Sequence, residues 1–205
     1  MNKQVVNQRP PCFKVFMATL QISLNPMDYE RCRFAYIASK FGHKGQTRDG
    51  GERFFDHPKT GAWMYIYEYG GRDARLICLI LLHDIVEDAY LLTPYRLSLN
   101  FGEDTAYDVH ALTKLPKGKE TTEEYLQRVI AQGAHAIAGK LFDRLHNCRT
   151  LGSCSEEKRV DQITETEKYH LRLLIPALTA HAGEWGKLSK WLESEIKKAL
   201  AVHKH

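Results

Sequence analysis

The stretch Arg72-Asp73-Ala74-Arg75-Leu76-Ile77-Cys78-Leu79-Ile80-Leu81-Leu82-His83-Asp84-Ile85-Val86-Glu87-Asp88 decides how the chain is read. Its first half is apolar nearly all round, so as a helix it belongs at the centre of a bundle rather than on its surface. Its second half sets an imidazole and three carboxylates directly behind that apolar run. In one continuous helix over residues 72–89, His83 and Glu87 share a face, as do Asp84 and Asp88. Ionised carboxylates at the end of a buried rod are costly without a partner. Acids near a helix C-terminus also have the wrong sign for its dipole. Two resolutions are open: the groups cap the helix end and point into water, or a bound cation holds them.

Outward from this rod the periodicity is helical almost throughout. Asn25-Pro26 pairs an N-cap with Pro at the first helical position, and apolar residues then recur through Phe34, Ile37, Ala38 and Phe41. Residues 42–52 are Gly-rich and polar and read as a loop. A helix is expected from His57-Pro58 to about Tyr69, ended by Gly70-Gly71; Met64-Tyr65-Ile66-Tyr67 falls inside it, although its composition would also suit a strand. Thr93-Pro94 starts a short helix that stops at Gly102. Further helices are expected over 104–113, 121–132, 135–151, 156–181 and 186–201, the last with Leu188, Trp191, Leu192 and Ile196 on one face and lysines on the other. Residues 15–24 suit either a helix or an extended arm. The pattern predicts an all-α fold, without internal repeats.

Composition narrows the class. The 205 residues suit one domain with at most a short appendage, and 43% apolar with 26% charged residues is ordinary globular usage, which argues against disorder throughout. A formal charge of +4 is too small to argue for DNA or RNA binding. The five cysteines are odd in number and none are in CxxC spacing, which points to a reducing compartment. The longest apolar run, Leu76 to Leu82, is far short of the ~20 residues of a membrane span. Lys3, Arg9 and Lys14 are not followed by an uninterrupted apolar stretch, so a signal peptide is not expected. The expectation is a soluble cytoplasmic protein.

Two further segments carry chemistry: His57 in Asp56-His57-Pro58, and Asp143 in Lys140-Leu141-Phe142-Asp143-Arg144-Leu145-His146-Asn147. Taken singly each has an ordinary reading. A His before Pro is commonly a helix-start or core residue, and Asp-Arg on a helix is commonly a solvated ion pair. As a set, His57, His83, Asp84 and Asp143 offer two nitrogens and two carboxylates, which suits a divalent transition metal with positions left for water. The set lacks the thiolates of a structural zinc site.

The order of segments resembles the HD metal-dependent phosphohydrolases, and more closely the hydrolase domain of the RelA/SpoT family. Gly45-Gln46-Thr47-Arg48, Asp56-His57-Pro58, Leu81-Leu82-His83-Asp84-Ile85-Val86-Glu87-Asp88, Leu112-Thr113-Lys114-Leu115, and the run from Lys140 through His146-Asn147-Cys148-Arg149-Thr150-Leu151 carry the resemblance, over about residues 28–180. It implies an all-α HD-domain helical bundle with a metal site at its centre, occupying 28–181. Residues 1–27 would be an N-terminal arm or helix, and 182–205 an amphipathic helix packed on the domain. Too little chain follows Leu151 for a second catalytic domain, so a stand-alone small alarmone hydrolase is expected.

The implied activity is removal of the 3′-pyrophosphate of ppGpp or pppGpp with one Mn²⁺, other divalent transition metals being possible. The implied ligands are His57, His83, Asp84 and Asp143. Glu87 and Asp88, one turn beyond two of them, would handle protons or position the attacking water. Orientation of His83 is a competing role for Glu87. Lys44 and Arg48, in the loop before His57, and Lys140, Arg144, Asn147 and Thr150 are the expected substrate contacts. Arg144 and His146 point away from Asp143 in this reading, Arg144 either structural or reaching a phosphate. Lys168 or Tyr169 would stand at the pocket edge. Four positions depart from the family pattern: Lys59, Ala89, Phe142 and Cys148. Lys59 faces either the pocket or solvent. Rival readings are pyrophosphate removal from the tRNA 3′ end, a nucleoside-monophosphate phosphatase, and a binding module with a degenerate site. The chain could also serve as the antitoxin to a toxin that pyrophosphorylates the tRNA 3′ end or to one that makes alarmones. Oligomeric state is open.

Overall fold

The computed structural model describes residues 11–88 and 92–203. Asn25, Asp73, Thr93, Thr121 and Ser155 each accept a backbone N–H three residues on and so start helices, as short polar side chains do at N-caps. In chain order the helices are α1 (Phe13–Ser23), α2 (Pro26–Gly42), α3 (Asp56–Trp63), α4 (Ala74–Leu82), α5 (Ile85–Asp88), α6 (Pro94–Phe101), α7 (Glu103–Leu112), α8 (Thr122–Gln132), α9 (Ala134–Arg149), α10 (Glu156–Glu165), α11 (Ile175–Ala180) and α12 (Gly183–Ala201). The expected all-α class is what the structure has: among the described residues the only β pairing is an isolated bridge between Thr47 and Arg53.

The apolar rod is α4. Every residue from Leu76 to Leu82 is buried, and burial of each Leu or Ile is worth roughly 1.5–3 kcal/mol. Helices α2, α3, α7 and α9 pack around it. Two glycines let two of these neighbours approach closely. A Cβ on Gly61 of α3 would lie 2.9 Å from Ile80 Cγ2, and one on Gly139 of α9 would lie 2.8 Å from Leu79 Cδ2. Gly61 is one turn after His57 and Gly139 one turn before Asp143. The closest approaches of α3 and α9 to α4 therefore sit beside the residues that the site needs. Outside α9 lies α12, which buries Leu188, Leu192 and Ile196. Phe142, bulky where the family pattern has a small residue, fills the space between Tyr65 and Trp191, at centroid distances of 5.4 and 6.0 Å.

Three expected helices differ in detail. The rod does not run on to residue 89: α4 ends at Leu82, His83-Asp84 form a turn, and α5 begins at Ile85. His83 Nδ1 donates to the Ile80 carbonyl at 2.9 Å and takes up an acceptor that the helix end leaves open. The helix from Asp56 widens into a π segment at Met64–Tyr69, closed by Gly70 at φ 88°. The helix expected over 156–181 contains a π segment, Thr166–Leu174, just before Pro176; proline cannot donate the next α-helical bond. Residues 15–24, left open as helix or arm, lie in helix α1 apart from Leu24, its C-cap. The loop expected over 42–52 is tied into a small hairpin by Arg48 N to Glu52 O and Phe54 N to Gln46 O, both 3.0 Å.

Candidate metal centre

Three elements bring their polar residues together at the end of α4. The first turn of α3 supplies His57, the turn after α4 supplies His83 and Asp84, and the middle of α9 supplies Asp143. His57 Nε2 lies 3.3 Å from His83 Nε2 and 3.1 Å from Asp143 Oδ1. His83 Nε2 lies 3.8 Å from Asp143 Oδ1 and 2.9 Å from Asp84 Oδ2. Asp84 Oδ2 is 3.7 Å from His57 Nε2. His57, His83 and Asp143 are buried; Asp84 is half-buried. Donors sharing one divalent ion at bonds of about 2.1 Å stand about 3.0–3.4 Å apart, and these separations bracket that range.

Proton positions follow from the surrounding bonds. His83 Nδ1 faces a carbonyl, so it carries a hydrogen and Nε2 presents its lone pair in the neutral ring. His57 Nδ1 lies 2.7 Å from His146 Nδ1, and one of the two must donate. Arg48 Nη1, which can only donate, is 3.4 Å from the same His146 nitrogen. His146 Nδ1 is therefore the acceptor, His57 Nδ1 the donor, and His57 Nε2 also presents a lone pair. Two imidazole lone pairs and a carboxylate oxygen meeting in a buried place repel one another unless a cation stands among them. The residues present fit a divalent metal.

The electrostatics point the same way. Burial disfavours a charged His83, but the Asp84 carboxylate outweighs it and pushes His83 up to about 9: with no cation, a proton answers the carboxylates. Burial, only partly offset by Asp143, holds His57 below its usual value. Burial, together with the neighbouring His57 ring and the Arg48 guanidinium, holds His146 well below its own and keeps it neutral. Burial would raise the Asp143 carboxyl, but Lys140 and the two histidines keep it well below the usual carboxylate range. Lys140 Nζ is 2.7 Å from Asp143 Oδ2 and 5.2 Å over the Tyr125 ring. Asn147 Nδ2 donates to Asp143 Oδ1 at 2.7 Å, and Arg48 Nη2 donates to Asn147 Oδ1 at 2.6 Å.

Beside this centre opens a cleft of about 320 Å³, lined by Arg48, Asn147 and Thr150 among others, with Asp49 and Lys158 ion-paired across it. The Thr150 hydroxyl donates within its own helix, to the His146 and Asn147 carbonyls. The other expected substrate contacts, Lys44, Lys140 and Arg144, do not line this cleft. Lys44 is exposed. Lys140 is bound to Asp143. Arg144 is buried and directed to α10, bonding Gln162 and, at 2.9 Å, Glu165. Lys168 lies over the Tyr169 ring, and neither lines the cleft. Glu87 is exposed and accepts from the Lys114 backbone at 3.3 Å. His83 is oriented by Ile80 rather than by Glu87, because the turn breaks the helical spacing between them. Asp88 ends α5, and its side chain lies outside the description. Lys59 faces neither solvent nor the cleft: it is buried, 2.7 Å from Asp56 Oδ1. His146, expected to point away, touches His57. Its spacing of three from Asp143 was the signal, since residues three apart share a helix face.

No family model matches the chain. It is 34% identical over 155 residues to the bifunctional (p)ppGpp synthase/hydrolase SpoT of Escherichia coli K12, across 72% of this chain and 22% of that protein. The guanosine-3′,5′-bis(diphosphate) 3′-pyrophosphohydrolase of Shigella flexneri gives the same figures. A GTP pyrophosphokinase of Myxococcus xanthus is 35% identical over 150 residues, 68% of this chain and 19% of that one. The chain thus spans about a fifth of the length of the curated relatives it matches. A solved structure described as a metazoan ortholog of SpoT that hydrolyzes ppGpp and plays a role in starvation responses superposes with a TM-score of 0.66 over 85% of this chain and 96% of that one. At 20% identity that likeness is one of fold. With the ordered segments, the buried donor set and the sequence relationship together, the chain belongs to the RelA/SpoT family and has the family's HD-type helical fold.

Proposed function

We propose that the chain hydrolyses the 3′-pyrophosphate of the guanosine alarmones ppGpp and pppGpp, giving GDP or GTP and pyrophosphate. The observation that carries this reading is the meeting of His57, His83 and Asp143, with Asp84 beside them, joined through Asn147 and Arg48 to the cleft that those two residues line. These four residues would hold one Mn²⁺. When bound, such an ion acidifies a water and offsets charge on phosphoryl oxygens.

The chain's own residues have separate tasks. Asp143 is kept ionised by Lys140 and aimed by Asn147. His57 and His83 are kept in the tautomer that leaves Nε2 bare. Arg48, Asn147 and Thr150 face the cleft and take the nucleotide. Lys158, across the cleft, offers a second cation for its phosphates. Glu87 and Asp88, on the short helix α5 beyond the ligands, take the proton of the attacking water and return one to the leaving 3′-oxygen. Help of this kind is worth ~10²–10⁴ in rate. Lys140 and Arg144 leave the substrate-contact set in this reading, being committed to Asp143 and to α10. The activity would serve in the cytoplasm, and in the presence of a toxic alarmone synthetase it would make the chain an antitoxin.

The test is a product assay. Purified protein is offered ppGpp, pppGpp and 3′-pyrophosphorylated tRNA, with and without Mn²⁺. Mn²⁺-dependent pyrophosphate release from the free nucleotides is the expected result. Release from tRNA alone, with steep salt dependence from phosphate contacts, would move the substrate to RNA. Orthophosphate as the product would make the chain a phosphatase of the wider HD group, and no turnover on any substrate would reject the reading.

A further inference from the structure

We infer that Arg48 and His146 are positioning residues of the metal centre, so that the loop walling the nucleotide cleft also holds the metal ligands in place. This rests on the reading of His57 and Asp143 as ligands. Arg48 sends two arms towards two ligands, each through one intermediary. Nη1 faces His146 Nδ1 at 3.4 Å, and the same nitrogen accepts from His57 Nδ1 at 2.7 Å. Nη2 donates to Asn147 Oδ1 at 2.6 Å, and Asn147 Nδ2 donates to Asp143 Oδ1 at 2.7 Å.

Direction makes this more than proximity. A guanidinium has donors only, so it forces His146 Nδ1 to accept, which in turn makes His57 Nδ1 the donor and leaves His57 Nε2 bare. An amide has one of each kind: when Arg48 takes Asn147 Oδ1, the amide nitrogen is turned towards Asp143. One cation thereby sets the hydrogen direction on both ligands. The loop that carries it is built to hold still. Its hairpin closes through Arg48 N and Phe54 N, its Glu52 carboxylate lies 3.6 Å from Arg48, and His43 stacks on Phe54 at 4.6 Å. His146 is buried against the His57 ring at 4.7 Å. Groups that orient a ligating imidazole are typically worth 10–100-fold in metal affinity.

The experiment measures Mn²⁺ affinity with no nucleotide present, by titration calorimetry or by electron paramagnetic resonance of the free ion. The proteins are wild type, Arg48→Ala, His146→Leu and His146→Gln. We expect Arg48→Ala to weaken Mn²⁺ by about 10-fold and His146→Leu by ~10–100-fold. His146→Gln, whose side-chain oxygen can still accept from His57, should recover most of the loss. A role confined to nucleotide binding predicts wild-type affinity in all three. That result overturns the inference while leaving the metal reading intact, whereas a wild type that binds no Mn²⁺ overturns the metal reading itself. Should His146→Leu fail to melt cooperatively, Arg48→Ala decides, because its loop lies outside the helical core.

Discussion

The wall of the site that carries His57, His83 and Asp143 is buried and tightly packed, whereas Glu87 on α5 and the Asp49–Lys158 ion pair of the cleft are exposed; the exposed set is the rim. The wall sits where α3 and α9 approach α4 through glycine, and the Nδ1 atoms of His57 and His83 and the Asp143 carboxylate each have a partner on another element or one turn away. The rim consists of a short helix, a hairpin and the start of α10, and its charges face solvent. The difference teaches that the wall holds its charges out of water, where partners must compensate them, while the rim leaves its charges in solvent, as the proposed binding of a phosphorylated nucleotide would use them. A substitution in the wall should therefore cost fold and metal together, and one in the rim should cost turnover or substrate affinity with the fold intact.

The sharpest way to break this contrast is Asp143→Ala. It removes a candidate ligand and leaves the buried Lys140 ammonium without its partner. Stripping one side of a buried pair typically costs 3–5 kcal/mol. Pyrophosphate release and Mn²⁺ retention should vanish and the melting temperature should fall in the same protein; a variant with full activity and unchanged metal content would break the wall assignment. Glu87→Gln probes the rim. Turnover should drop by about 10²–10⁴ with metal content and melting temperature preserved, and loss of metal would place Glu87 in the wall.

Acidity separates the two regions further. In the metal-free protein His83 is pushed up to about 9, above the roughly 6.5 of an unfolded chain. Its contribution to stability is fully present below about pH 6.5 and is lost as pH rises through about 9. Because Mn²⁺ competes with that proton, its affinity should rise over the same window. Melting of metal-free protein and Mn²⁺ titration at pH 6.5 and 9.5 check both signs. Gly139→Ala presses a methyl to within 2.8 Å of Leu79. Overpacking of this kind costs about 1–3 kcal/mol, read as a lower melting temperature with weaker Mn²⁺ binding, and an unchanged variant would show that α9 has slack. The smallest effect belongs to Lys158→Ala. The exposed pair with Asp49 is worth under about 1 kcal/mol, so melting should hardly move while KM rises.

Much of the wall was legible. The apolar run of α4 could only be a central helix, and His57, His83, Asp84 and Asp143 followed from its polar end and from the family pattern. One misreading came from treating a helix as continuous. The pairing of His83 with Glu87 assumed four residues of unbroken helix, but His83 caps α4 with its own ring and the chain turns there. Lys59 read as pocket or solvent because a charged residue seldom sits inside a core, yet the neighbouring Asp56 compensates it there. Lys140 was expected at the substrate from its place on the Asp143 face; in the structure that same place pairs it with Asp143. His146 shows the reverse error: its spacing was suitable, but nothing in a linear pattern says which neighbour lies across the interface.

The sequence by itself determined that the chain is a helical bundle around α4 and which side chains are chemically able to hold a divalent ion, because hydrophobic periodicity and ligand type are local properties. The tertiary structure decided which nitrogen of each histidine is bare, which lysine is spent inside the wall, and that Arg48 lines the cleft while bonding His146 and Asn147, the partners of His57 and Asp143. The bare nitrogen of His57 and the reach of Arg48 depend on hydrogen-bond partners 89 to 99 residues apart in the chain, and only packing brings such partners together.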